Sequence, residues 1–151
     1  MTSYRVRMRS GRADAITDKR EVCFIIGKGG AILWADASDS PAALPDSRAR
    51  WEAIWNNREQ LEVIAHSHPV GPAAFSAEDN STMEALDSAL GKVMRYMVVA
   101  PRVTIVREGA IKAEHVVPEP WWAALLRLAS GMTATDSEMR AGNEPAREKD
   151  E

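Results

Sequence analysis

Read from its start, the chain alternates short apolar runs with polar breaks marked by Gly and Pro. Residues 4–8 (YRVRM) alternate apolar and polar positions as a short edge strand does, and Ser10 to Lys19 is polar, predicting a loop or a short helix. Glu21 to Ser38 (EVCFIIGKGGAILWADAS) carries two apolar runs, rich in β-branched and aromatic residues, on either side of Gly27, Gly29 and Gly30. Glycine adopts the positive φ of a tight turn without a steric penalty, so this text predicts a β-hairpin. Two prolines make Asp39 to Ser47 a loop, with Asp46 or Ser47 placed to cap a helix from Arg48. In that helix Trp51, Ile54 and Trp55 fall at i, i+3, i+4, a stripe expected to face the core, and Asn56 and Asn57 mark its end.

Leu61 to His68 (LEVIAHSH) is apolar enough on both faces to be a central strand, and Pro69 ends it. After PVGPAAF, Ser76 opens a second helix in which Met83, Leu86 and Leu90 recur at helical spacing before Gly91 terminates it. RYMVVA and VTIVRE read as two strands with Pro101 in the turn, and Ala110 to Val117 is the candidate for a last strand. Glu119-Pro120 then opens a third helix, whose expected buried stripe is Trp121, Leu125 and Leu128 with Trp122 and Leu126 beside them. Beyond Gly131 the text is polar and charged and cannot offset the entropy of its own ordering, so residues 132–151 are expected to form a flexible tail behind one domain over 1–131.

Composition narrows the classes. The chain has 151 residues, 45% of them hydrophobic and 27% charged, which suits one soluble globular domain. With 19 Lys and Arg against 22 Asp and Glu, the formal charge of -3 gives no overall field toward phosphate backbones or anionic lipid, so nucleic acid is not an expected partner. No apolar run approaches the ~20 residues that cross a bilayer, so no membrane span is expected. The opening residues lack the apolar region of a signal peptide, and Cys23, the single cysteine, has no partner within the chain. A cytoplasmic location follows as the expectation. Gly27-Lys28-Gly29-Gly30 lacks the spacing of a phosphate-binding loop and reads as a hairpin turn. Cys23 reads as a small buried hydrophobe, His115 has no assigned role, and the adjacent Trp121 and Trp122 mark a candidate homodimer face.

The chemistry concentrates in His66-Ser67-His68-Pro69 and, after seven residues between His68 and Ser76, in Ser76-x-x-Asp79. Side chains two apart on a strand project from the same face, so His66 and His68 can present two imidazoles to one point. A helix starting at Ser76 puts Asp79 in its first turn, from which it can approach that point. Two imidazoles and one carboxylate form a three-ligand set that leaves a fourth tetrahedral position of Zn²⁺ to a catalytic water. Imidazole with carboxylate suits zinc better than copper or an iron–sulfur cluster. The bland readings remain beside it: Ser-x-x-Asp is also a helix-capping pattern, and an HxH pair is also a strand end with two solvent-facing histidines.

The order of these residues resembles the JAMM motif of the JAB1/MPN (Mov34/PAD-1) metallopeptidases, in which HxHP, a spacer and SxxD follow an upstream glutamate that opens an apolar strand. Glu21, ahead of Val22-Cys23, stands at that glutamate's position, and the resemblance covers roughly residues 20–107. It implies a single α/β domain of the JAB1/MPN, cytidine-deaminase-like type, a curved mixed sheet flanked by helices. It also implies one zinc per chain on His66, His68 and Asp79, Glu21 as general acid and base toward water and the leaving amine, and Ser76 as a donor to the oxyanion. By pattern alone Glu21 is only a charged residue opening a strand. Phe24 stands where the family usually has Gly, and residues 80–107 leave little room for the insertion with which the family's deubiquitinases grip ubiquitin. The implied activity is therefore peptidase or isopeptidase cleavage at the Gly-Gly tail of a small ubiquitin-like or sulfur-carrier protein. A non-catalytic MPN scaffold and a RadC-like relative are the alternatives. Scaffold members have lost motif residues that this chain keeps, and RadC-type motifs usually carry Asn where Ser67 stands.

Overall fold

A computed structural model describes residues 18–110 and 112–132. The strand expected at 4–8, most of the stretch Ser10 to Lys19, and the tail beyond Met132 lie outside the described residues. Among the described residues nine strands and α-helices follow one another: β1 (Val22–Gly27), β2 (Ile32–Ala37), α1 (Arg48–Asn56), β3 (Leu61–Ser67), α2 (Ala77–Leu90), β4 (Arg95–Val99), β5 (Thr104–Glu108), β6 (Glu114–His115) and α3 (Trp121–Ala129).

The strands form one sheet in the order β2-β1-β3-β4-β5-β6, with β3 and β4 parallel and every other neighbouring pair antiparallel. The expected hairpin is β1–β2, turning through Lys28–Gly30, where Gly29 and Gly30 have φ of 73° and 81°. β3 is central, as its two apolar faces require. The parallel β3–β4 pair needs a crossover, and α2 provides it.

Both faces of the sheet are covered, and the two-residue strand period decides which side chain goes where. Val22, Phe24, Val63, Ala65, Met97 and Val99 pack against Trp122, Ala123 and Leu126 of α3. On the opposite face Cys23, Ile25, Ile64 and Tyr96 meet Ile54 of α1 and Met83 and Leu86 of α2.

The structure corrects four details of the sequence reading. In α3 the buried stripe is Trp122, Ala123 and Leu126, whereas Trp121, Leu125 and Leu128 are 61%, 41% and 59% exposed. Both stripes have helical spacing, and the small Ala123 is what lets α3 approach the sheet on the side that a count of large residues passes over. In α1, Trp55 is 50% exposed with the Arg58 guanidinium over its ring, and the buried positions are Arg50, Ala53 and Ile54. Arg50 can be buried because Asp36 and the Pro45 carbonyl accept its donors. The last strand is only Glu114–His115, and Pro120 is the N-cap of α3 rather than its first helical residue.

Candidate functional site

The site lies where the C-terminal end of β3, the start of β1 and the N-terminus of α2 meet. His66 and His68 leave β3 on one face, as alternation requires, and their Nε2 atoms are 3.1 Å apart with the rings at 66°. The Pro72 carbonyl lies 3.2 Å from His68 Nδ1, so that nitrogen carries the proton and Nε2 keeps its lone pair toward the site. Burial, then the neighbouring His66, lowers the pKa of His68, which favours the neutral, ligating form.

Asp79 is placed by helix capping. Ser76 is the N-cap of α2: its Oγ accepts the Asp79 N–H at 2.9 Å, and Asp79 Oδ2 accepts the Ser76 N–H at 2.8 Å. The same Oδ2 lies 3.6 Å from His66 Nε2 and 3.8 Å from His68 Nε2. Burial opposes ionisation of Asp79, but His66 and the Ser76 donors outweigh it and hold the carboxyl at about 2. The capping geometry of Ser76-x-x-Asp79 is therefore also what aims the Asp79 carboxylate at the two imidazoles.

Glu21 is the fourth member. Its register neighbourhood follows from the β1–β3 ladder, in which Cys23 opposes His66. Glu21 is 7% exposed, and a carboxylate oxygen of Glu21 and one ring nitrogen each of His66 and His68 all lie within 4.8 Å of one another. Among the described residues no hydrogen bond reaches its carboxylate. Burial raises its pKa, His66 opposes that, and Asp79 adds to it.

This donor set fits a divalent ion. Two nitrogens bound tetrahedrally to one ion at ~2 Å stand roughly 3.3 Å apart, close to the His66–His68 separation, and the Asp79 oxygen completes a triangle of similar size. A buried carboxylate without a hydrogen-bond partner beside that triangle is the kind of group a cation or a water would satisfy. His66, His68 and Asp79, with Glu21 adjacent, could hold a metal ion.

Cys23 is no part of the site. It is 1% exposed within the core, and burial pushes its thiol up to about 12, which leaves it un-ionised and unreactive. His115, on edge strand β6, lines a groove of about 520 Å³ with Ala73, Phe75, Asn80, Ile105 and Arg107. That groove takes in Ala73, Ala74 and Phe75 of the loop joining His68 to Ser76. The sequence reading passed over Asn80 and Arg107, which are hydrogen-bonded to each other, and over the buried hydroxyls of Ser67 and Ser130. A polar residue inside an otherwise apolar strand was the available signal for Ser67.

Among the described residues no helix is long and apolar enough to cross a membrane. The family described as prokaryotic homologs of the JAB domain (Prok-JAB) matches residues 8–123. No curated protein matches the chain.

Proposed function

The chain belongs to the family of prokaryotic JAB-domain homologs, and we propose that it is a zinc-dependent peptidase or isopeptidase that hydrolyses an amide bond at the C-terminal tail of a small ubiquitin-like or sulfur-carrier protein. The observation that carries this reading is the convergence of His66, His68 and Asp79 beside the buried carboxylate of Glu21. Zinc is the metal because imidazole and carboxylate without thiolate suit it, and a zinc ion held there would supply a Lewis acid that brings the pKa of water toward neutrality.

The chain's own groups supply the rest. Glu21 has a raised pKa, so its carboxylate takes a proton from the attacking water more readily than an ordinary one and can return it to the departing amine. Ser76 Oγ accepts the Asp79 N–H, and its O–H would turn from the Asp79 carboxylate to donate to the developing oxyanion. The positive end of α2 lies at the same place and favours negative charge there. The adjoining groove gives an extended tail a bed, with small side chains at Ala73, Ala74 and Ala113. A tail laid along the exposed edge of β6 could add main-chain pairing as a further strand, leaving side-chain pockets to choose its sequence.

The test is mass-spectrometric. Zinc-loaded protein is incubated with small carriers that end in Gly-Gly and bear a C-terminal peptide extension, and separately with the same carriers joined to a lysine side chain. The reading expects a product ending in Gly-Gly. Protein that holds one zinc per chain yet leaves every such amide intact would overturn it and favour a binding module.

A further inference from the structure

Ser67 stands between the two histidines but points away from them, into the face of the sheet covered by α3, where it is fully buried. Its Oγ accepts the Val22 N–H at 2.9 Å. Ser130, just past the end of α3 and equally buried, places its own Oγ 2.8 Å from Ser67 Oγ and 2.6 Å from the Arg20 carbonyl. A hydroxyl donates one proton, so one assignment satisfies every group: Val22 N–H to Ser67, Ser67 O–H to Ser130, Ser130 O–H to Arg20. The Arg20 N–H returns to the Ser130 carbonyl at 3.0 Å.

These bonds bracket Glu21. Its own N–H donates to the Ser40 carbonyl and its C=O accepts the Ser38 N–H, both at 2.9 Å. All four polar groups of the two peptides that flank the Glu21 Cα are thus bonded, two by the serine pair and two by the loop after β2. The β1–β3 ladder cannot do this work. Its last register pair at this end is Cys23 with His66, and His68 N–H already turns to Val99 of β4. Ser67 Oγ takes over as acceptor where the strand partner leaves. Gly131 makes the approach of α3 possible: at φ +85° it tolerates the turn, and a Cβ there would fall 1.9 Å from the Asp18 carbonyl oxygen.

We propose that the Ser67–Ser130 hydroxyl pair is a positioning device that locks the backbone of Glu21 so that its carboxylate faces His66 and His68. This rests on the reading of Glu21 as the acid and base of the site. It makes α3, which contributes no side chain to that site, the element that sets the reach of Glu21. Neither serine is a catalytic residue.

The test compares Ser67→Ala, Ser130→Ala, Ser67→Thr and Thr104→Ala in the full chain. Thr104 is a second fully buried hydroxyl on the sheet, bonded to Glu119 and remote from Glu21 in sequence and in hydrogen bonding, so Thr104→Ala controls for the loss of any buried hydroxyl. With a carrier fusion as substrate, both alanine variants at the serines should lose roughly 10- to 100-fold in kcat at unchanged KM and about one zinc per chain, since small misplacements of a reacting group cost that much. Ser67→Thr should recover most of the rate, and Thr104→Ala should keep it. In the metal-free protein, Val22 amide exchange should quicken at least about tenfold in both serine variants while Ile64 is unchanged. Wild-type kcat in the serine variants, or a loss no larger than that of Thr104→Ala, overturns the proposal. Should the wild-type protein cleave no carrier, the functional reading fails and the exchange arm alone decides: Val22 protection kept without either hydroxyl overturns the lock, and protection lost supports it.

Discussion

Asp79 and Ser76 hold each other in a reciprocal capping box, and the oxygen of Asp79 that accepts the Ser76 N–H is the one that lies 3.6 Å from His66 Nε2. One carboxylate therefore serves a helix terminus and faces both imidazoles. Asp79→Ala should lose both, releasing zinc and lowering stability by about 1 kcal/mol through the lost cap. Asp79→Asn keeps an acceptor for the Ser76 N–H and should retain most of the stability while still weakening metal binding. Zinc content after gel filtration and a thermal melt of the metal-free variants separate the two roles. Equal zinc retention in wild type and Asp79→Ala would remove Asp79 from the ligand set.

Glu21→Gln should keep about one zinc per chain and lose two to four orders of magnitude in hydrolysis, the usual worth of a general acid or base. It should also stabilise the metal-free protein at neutral pH. The sign follows from burial, which raises the folded-state pKa of Glu21 above the ordinary 4.5. Such a carboxyl costs stability as pH rises from 4.5 through its folded pKa, and the cost is full above that. Thermal melts of wild type and Glu21→Gln should therefore coincide below pH 4.5 and diverge above it, the variant melting higher. A variant that melts lower at pH 7 would contradict the buried, unpaired state of this carboxylate.

Glu119 has the opposite sign. Arg127 donates to both its carboxylate oxygens at 2.8 and 2.7 Å, with Thr104 adding a third bond, and the Arg127 hydrogen bonds, against burial, hold Glu119 below its ordinary 4.5. Stability from this pair is present above pH 4.5 and is lost as pH falls through the folded value. Arg127→Met should lower the melting temperature at pH 7 and flatten its fall on acidification below pH 4.5. An unchanged acid limb would mean that the pair adds nothing to the docking of α3.

The two apolar stripes of α3 differ in consequence. Leu126→Ala empties a fully buried position and should cost 2–5 kcal/mol, whereas Leu128, 59% exposed, should tolerate alanine within about 0.5 kcal/mol. Urea unfolding of the two variants checks this directly. A larger loss at Leu128 would show that the outward stripe is covered in solution.

The elements whose ends are marked by local chemistry were legible in the sequence. Gly29 and Gly30 announce the hairpin, Ser47 and Ser76 cap the helices they precede, and Gly91 ends α2. The alternation that puts His66 and His68 on one face of β3 was legible for the same reason. Burial of α3 was not, because Trp121-Leu125-Leu128 and Trp122-Leu126 share a period and only tertiary packing chooses between them. The setting of Glu21 was hidden as well: its backbone is held by Ser67, Ser130 and the Ser38–Ser40 loop, which are separated along the chain and joined only by the fold. Its role entered through resemblance to a family rather than from spacing.

Calorimetric titration of the chelator-stripped protein with zinc tests the central claim most directly. A single site per chain is predicted, abolished by His68→Ala, strongly weakened by Asp79→Ala and unchanged by Cys23→Ala or His115→Ala. Zinc binding that survives both of the first two substitutions, or that vanishes with Cys23 or His115, would contradict a metal held by His66, His68 and Asp79.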